Sequence, residues 1–228
     1  MLTHDLAIGY AKPLISNINL TLPKNSLTCL VGANGTGKTT FLRTLSGLQR
    51  PLSGSVEIDG KQIARLSPAQ ISRLVSVVLT DKVADSLITV YELVAMGRMP
   101  YTGFLGRLSD DDQKIVAESI LRLGIDNISA CRLQEISDGQ RQRAFIARAL
   151  AQQTRIIILD EPTAFLDFRS RAQVMELLQN LAHNDCKSVL LSTHELDLAE
   201  RFGDNFWVME EGRIAETCQI PKFYSFVN

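Results

Sequence analysis

One octapeptide restricts this 228-residue chain more than any other feature: Gly32-Ala33-Asn34-Gly35-Thr36-Gly37-Lys38-Thr39. An apolar, strand-like run, Ser26–Val31, leads into it, and Lys38–Leu48 follows with the pattern of a helix. A buried strand, a glycine-rich turn and a helix in that order open a parallel α/β unit. The glycines let the backbone curl so that successive N–H groups point inward, and the helix start adds about half a positive charge of dipole. The spacing is that of a phosphate-binding loop in full. Gly32, Asn34, Gly35, Gly37 and Thr40 belong to the cradle. Lys38 brings an ammonium to β- and γ-phosphates, and the Thr39 hydroxyl is a hard oxygen suited to Mg²⁺.

Strand and helix signals alternate along most of the remaining sequence, which predicts an α/β architecture. Ser55–Ile58 runs into Asp59-Gly60, a hairpin signal. Ser67-Pro68 reads as a helix N-cap with proline in the first turn, and Val75–Leu79 as a β-branched strand. From about Asp81 to Gln152 no convincing strand occurs, so a mostly helical subdomain interrupts the strand-containing core. Within it, Thr89-x-x-Glu92 is a capping box for a helix ending near Gly97. Arg98–Leu108 reads as a loop. Ser109 caps an acidic first turn, Asp110-Asp111-Asp112, as the helix dipole favours, and Gly124 closes that helix. The alternation resumes at Ile156–Leu159, apolar on both faces like a central parallel strand. Asp167 then caps a helix with the buried stripe Val174, Leu177, Leu178 and Leu181. Val189–Leu191 is another buried strand, and Phe206–Met209 and Arg213–Thr217 form a hairpin around Glu211-Gly212. We expect one domain over residues 1–228.

Composition removes several function classes. With 24 Lys+Arg against 25 Asp+Glu the net charge is −1, and the basic residues are scattered, so no nucleic-acid footprint is expected. No uncharged apolar run approaches the roughly 18 residues of a membrane span, and Met1–Asp5 lacks the start of a signal peptide. Cys29, Cys131, Cys186 and Cys218 have no close spacing and read as reduced thiols, with Cys29 acting as a small hydrophobe in its strand. His4 and His183 read as surface residues.

Two further motifs carry chemistry. The strand Ile156–Leu159 ends in Asp160-Glu161-Pro162, which holds two carboxylates at the end of the sheet where open α/β folds bind ligands. Asp160 is expected to reach Mg²⁺ through water, and Glu161 to polarise the water that attacks a γ-phosphate. Ser137-x-x-Gln140 is a capping box, and Ser137, the Gly139 amide and the helix N-terminus together make a second anion site.

These motifs together resemble the nucleotide-binding subunit of ATP-binding cassette (ABC) transporters, over essentially the whole chain. Ile136-Ser137-Asp138-Gly139-Gln140 is similar to the family's Leu-Ser-Gly-Gly-Gln signature, departing from it at Asp138. Asp160-Glu161-Pro162-Thr163 with Leu166-Asp167 resembles the Walker B and D-loop run. His194 falls at the switch histidine, and Tyr10 at the aromatic that stacks on adenine. The resemblance implies a P-loop NTPase fold: a RecA-like core sheet with helices, a helical signature subdomain and an N-terminal antiparallel β region. It implies ATP and Mg²⁺ as ligands, and a head-to-tail homodimer in which Ser137, Gly139, Gln140 and Asp167 serve the partner copy's nucleotide. His194 would orient the γ-phosphate against Glu161. The family's glutamine after the strand Val75–Leu79 is replaced by Thr80, too short by two bonds for direct metal contact. The expectation there is a water-bridged contact, or coupling through other residues.

The segment Gly97-Arg98-Met99-Pro100-Tyr101 through Ser109 looks like that of importers for iron-siderophore complexes, haem and vitamin B12. That implies a polytopic membrane permease as partner, a substrate-binding protein reached indirectly, and a peripheral place on the cytoplasmic face of the inner membrane. The chain stops soon after the terminal hairpin, and no regulatory domain is expected. The alternatives are a soluble ABC ATPase of an assembly system such as iron–sulfur cluster biogenesis, or a slow-hydrolysing nucleotide-operated clamp.

Overall fold

A computed structural model describes residues 1–79, 87–103, 106–217 and 219. Thr80 and Cys218, and part of the helical subdomain predicted over 81–152, lie outside the described residues.

The strands are β1 (Leu2–Gly9), β2 (Pro13–Ile18), β3 (Leu27–Val31), β4 (Ser53–Ile58), β5 (Lys61–Gln62), β6 (Val75–Val78), β7 (Ile156–Leu159), β8 (Ser188–Thr193), β9 (Asn205–Glu210) and β10 (Arg213–Thr217). The α-helices are α1 (Lys38–Leu45), α2 (Pro68–Ile71), α3 (Val90–Ala95), α4 (Asp110–Arg122), α5 (Asp138–Ala151), α6 (Phe168–His183) and α7 (Leu196–Phe202). A six-stranded sheet runs β10-β9-β3-β8-β7-β6 and is parallel except for β10. A second, antiparallel sheet runs β2-β1-β4-β5. The expected core sheet, N-terminal antiparallel region and strand-free helical stretch α3–α5 are all present.

The side-chain alternation of a strand sorts the core into two layers. Cys29, Ile157, Leu159, Val189 and Leu191 face one cluster, where α3–α7 pack. Leu30, Ile156, Ile158, Leu190 and Trp207 face the other, where Phe41, Leu42 and Leu45 of α1 meet Leu6, Ile8, Ile18, Val56 and Ile58 of the N-terminal sheet. Helix α1 is thereby clamped between two sheets, with the Phe41 and Trp207 rings 5.9 Å apart. Burial pushes the Cys29 thiol up to about 12, in keeping with an inert hydrophobe.

Two local readings change. Helix α1 ends at Leu45 rather than Leu48, because Gly47 takes φ 75°. Leu48 N–H then bonds Arg43 O at 2.9 Å and Gly47 N–H bonds Thr44 O at 3.2 Å, a Schellman stop. Arg98, read as the start of a loop, is instead buried at the end of a 3₁₀ turn (Met96–Arg98). Its Nε donates to Asp112 Oδ1 at 2.8 Å, and its Nη1 donates to Ala151 O at 2.8 Å and Gln153 Oε1 at 3.0 Å. Asp112 therefore does more than complement a dipole: it closes the Ser109 capping box and pins α4 to the turn after α3.

Arg98→Ala leaves Asp112 Oδ1 and the Ala151 carbonyl without the guanidinium, and should cost about 3–5 kcal/mol in urea unfolding. The Asp112 carboxyl is held below the ordinary range by the Ser109 hydroxyl and N–H, and then by Arg98. Its contribution is therefore present above the ordinary carboxylate pKa and lost as pH falls through the lowered one. Asp112→Asn should be less stable at neutral pH and show a flatter acid limb in stability against pH.

Candidate active site

The parallel order β3-β8-β7 sets three strand ends side by side. The glycine-rich loop follows β3, Asp160-Glu161 follows β7, and His194 follows β8. Gly37, the N-cap of α1, sits at φ 107°, a conformation that glycine takes without a Cβ clash. Its place directs the first turn of α1, with Lys38, Thr39 and Thr40, toward the pocket.

Lys38 is 6% exposed, and its Nζ donates to Gly32 O at 2.8 Å and Ala33 O at 3.2 Å. The same ammonium lies 3.3 Å from Glu161 Oε1, in ion-pair rather than hydrogen-bond geometry. The other Glu161 oxygen, Oε2, is 2.9 Å from His194 Nδ1. Thr39 Oγ1 donates to Asp160 Oδ2 at 2.7 Å. Cation, carboxylate and imidazole thus form one connected line, with a hydroxyl–carboxylate pair beside it.

Ser192 braces both acids. Its hydroxyl donates to Asp160 Oδ1 at 2.6 Å and accepts from the Glu161 N–H at 2.9 Å. Glu161 takes φ 47°, a left-handed backbone that costs a non-glycine residue on the order of 1–3 kcal/mol. The bond to Ser192 helps hold that strained turn, which aims the carboxylate back toward Lys38. Asp160 N–H extends the β6–β7 ladder by bonding Val78 O at 2.8 Å.

A cavity of about 410 Å³ opens over these groups. Asn34, Gly35, Gly37, Lys38, Thr39, Thr40, Asp160 and Glu161 line it, together with Leu14, Arg43 and Leu79, while Gly32 and His194 stand outside the lining. Sequence reading missed Leu14 and Arg43, whose residue types carry no signal of their own, and Ser192, which looked like one more strand residue. Tyr10 is 68% exposed in the turn between β1 and β2 and stands outside the lining.

Ser137, Gly139, Gln140 and Asp167 are also outside this lining. They sit at the N-termini of α5 and α6, which lie against each other: a Cβ on Gly139 would be 3.5 Å from Ser170 Oγ. In the capping box, Ser137 Oγ accepts from Gln140 N–H and Gln140 Oε1 accepts from Ser137 N–H. Those bonds use acceptors, so the Ser137 hydroxyl proton and the Gln140 amide protons are still suited to an anion. Asp138 is ion-paired to Arg141 at 2.9 Å, which offsets its charge at that helix start. Asp167 caps α6 through Ser170 N–H and Oγ, and those bonds hold its carboxyl below the ordinary range.

A glycine-rich loop opening a helix, a strand-end carboxylate pair and a neighbouring strand-end histidine on a parallel sheet are the arrangement of a P-loop ATPase. The sequence profile of the ABC transporter family matches residues 15–164, and the chain belongs to that family. It is 35% identical to the iron(3+)-hydroxamate import ATP-binding protein FhuC of Bacillus subtilis, over 93% of this chain and 79% of that one. It is also 35% identical to the ferric enterobactin transport ATP-binding protein FepC of Escherichia coli, over 92% of this chain and 78% of that one. An ATP-binding cassette solved as a dimer in a post-hydrolysis state with ADP and Pi superposes with a TM-score of 0.81 at 26% identity, covering 94% and 97% of the two chains. The chain is an ATP-binding, ATP-hydrolysing transporter subunit of the cassette fold.

Ser192→Ala removes the brace from both acids and leaves the Glu161 N–H unsatisfied. It should cost about 1–3 kcal/mol in denaturant unfolding and lower ATP turnover, measured by phosphate release.

Proposed function

We propose that this chain powers a binding-protein-dependent importer of an iron chelate such as a siderophore, of haem or of cobalamin. The single observation that carries the chemistry is the contact line Lys38–Glu161–His194, whose first two members line the cavity. The relatives described above, named for iron-chelate import, and the segment from Gly97 support the class of cargo. Met99, 67% exposed, and Tyr101, 38% exposed, put apolar surface at the start of that segment, where a helix of a polytopic permease would meet it. Among the described residues no helix is long and apolar enough to cross a membrane. As the ATP-binding subunit of an importer, the chain is read as a peripheral partner on the cytoplasmic face of the inner membrane. All 228 residues are read as one ATPase domain.

The residues act as follows. Phosphates of ATP lie along the loop 33–37 and the start of α1, and Tyr10 stacks on the adenine from the rim. A γ-phosphate is a stronger acceptor for Lys38 than two carbonyls and draws the ammonium off Glu161. Glu161, half-buried and released from its cation, accepts a proton from the attacking water, while His194 holds its other oxygen. Thr39 Oγ1 and Asp160 Oδ2, two hard oxygens in contact, fit Mg²⁺, with water bridging to Asp160. The described residues include no group of three or more His, Cys, Asp and Glu placed to hold a metal ion, so phosphate oxygens and water would complete the ion's shell. When bound, the ion neutralises charge on the phosphates. The donors at Ser137, Gly139 and Gln140 line no part of their own chain's cavity, and we assign them, with Asp167, to the nucleotide of a second, head-to-tail copy.

Glu161→Gln should still bind ATP but lower turnover roughly 10²–10⁴-fold, and should run as a dimer on gel filtration in ATP. Turnover near that of the parent chain would remove Glu161 from this role.

A further inference from the structure

Arg171 lies in the first turn of α6 and touches nothing in the cavity, yet it joins two segments that border the site. Its Nε donates to Leu166 O at 2.7 Å. Its Nη1 lies 2.7 Å from Glu195 Oε1. Leu166 belongs to the turn that follows Asp160-Glu161, and Glu195 is the residue after His194. One planar guanidinium therefore spans the turn 163–167 and the side chain of the residue that follows His194.

We propose that Arg171 is a positioning residue that sets His194 against Glu161 and couples that setting to the turn 163–167. The inference rests on the ATPase reading above. His194 stands between Thr193, buried at the end of β8, and Glu195, the N-cap of α7. The Glu195 N–H bonds Thr193 Oγ1 at 3.0 Å, so the peptide carrying the imidazole is held on both sides. The Glu195 side chain is only 13% exposed. Its second oxygen is buried with no hydrogen-bond partner. Arg171 is thus the contact that fixes where this carboxylate sits, and through it the backbone that aims His194.

The other end of the strut faces outward. Phe165 takes φ 64° and is 74% exposed, and Phe168 is 80% exposed. A large aromatic held in a left-handed backbone is strained, and exposing two such rings beside Leu166 makes the turn a surface that an approaching copy meets first. Leu166 itself is buried and also faces Gly139 at the start of α5. Pressure on the turn shifts the Leu166 carbonyl, the guanidinium follows as a rigid fork, and Glu195 and His194 move with it. Closure around nucleotide is by this route felt at the imidazole.

The test uses the full chain and its three histidines, His4, His183 and His194. Ring proton–carbon NMR spectra of the nucleotide-free protein are compared for the parent, Arg171→Ala, Arg171→Lys and Glu195→Gln, with His194→Gln assigning the signal. We expect Arg171→Ala to move the His194 ring signal and leave those of His4 and His183 in place. It should lower kcat about tenfold or more with KM for ATP within about twofold, since the phosphate cradle is untouched. Arg171→Lys keeps the charge without the fork and should recover only part of both effects. Should Arg171→Ala fail to fold, Arg171→Lys and Glu195→Gln carry the same comparison. An unmoved His194 signal in the folded variants, or a moved signal with unchanged kcat, overturns the proposal. Absence of ATP hydrolysis by the parent chain would instead overturn the ATPase reading, which the spectra do not depend on.

Discussion

The hydrogen bond from Thr39 to Asp160 joins residues 121 positions apart and holds the site to the fold. It exists because β3 and β7 flank β8 in one parallel sheet and all three end on the same side. Each strand delivers one ingredient there: the anion cradle, the carboxylate pair and the histidine. Ligands of open α/β sheets bind outside the carboxyl ends of strands for this reason. Both hydrophobic layers serve the arrangement, since α1 stays in line with the cavity only while clamped between two sheets.

The charged groups at the site contact one another. Lys38 is folded back on two loop carbonyls and Glu161, while Glu161 is shared with His194. In the proposed mechanism a phosphate competes for the ammonium and leaves a half-buried carboxylate beside the reacting centre. Ser192 and the strained Glu161 backbone keep that carboxylate aimed while the cation leaves. The arrangement supplies the floor and one wall of a catalytic site. The donors at the start of α5 lie outside the cavity of their own chain.

Much of this was legible in the sequence because its signals are local. The glycine loop, the Asp160-Glu161 strand end and the helix N-caps at Ser67, Thr89, Ser109 and Ser137 each need only a few consecutive residues, and all appear where expected; the structure closes full capping boxes at Ser67 and Ser109 as well. What escaped depends on contacts between distant segments. Arg98 and Asp112 looked like a loop residue and a dipole acid, because nothing in either neighbourhood tells that they meet in the interior. Ser192 lies among buried strand residues, and its role appears only when β7 and β8 pair. Leu14 reaches the cavity because the turn between β1 and β2 lies over the glycine loop. The early stop of α1 turned on a single left-handed glycine, Gly47.

The central claim is that one chain holds only part of each working site, and a second copy completes it. The most direct measurement is specific ATPase activity of the isolated chain across protein concentration, with association state followed by sedimentation over the same range. The account predicts activity per chain that is near zero where the protein is monomeric and climbs to a plateau as dimers form with ATP. Constant activity per chain across a range in which the protein stays monomeric would contradict it.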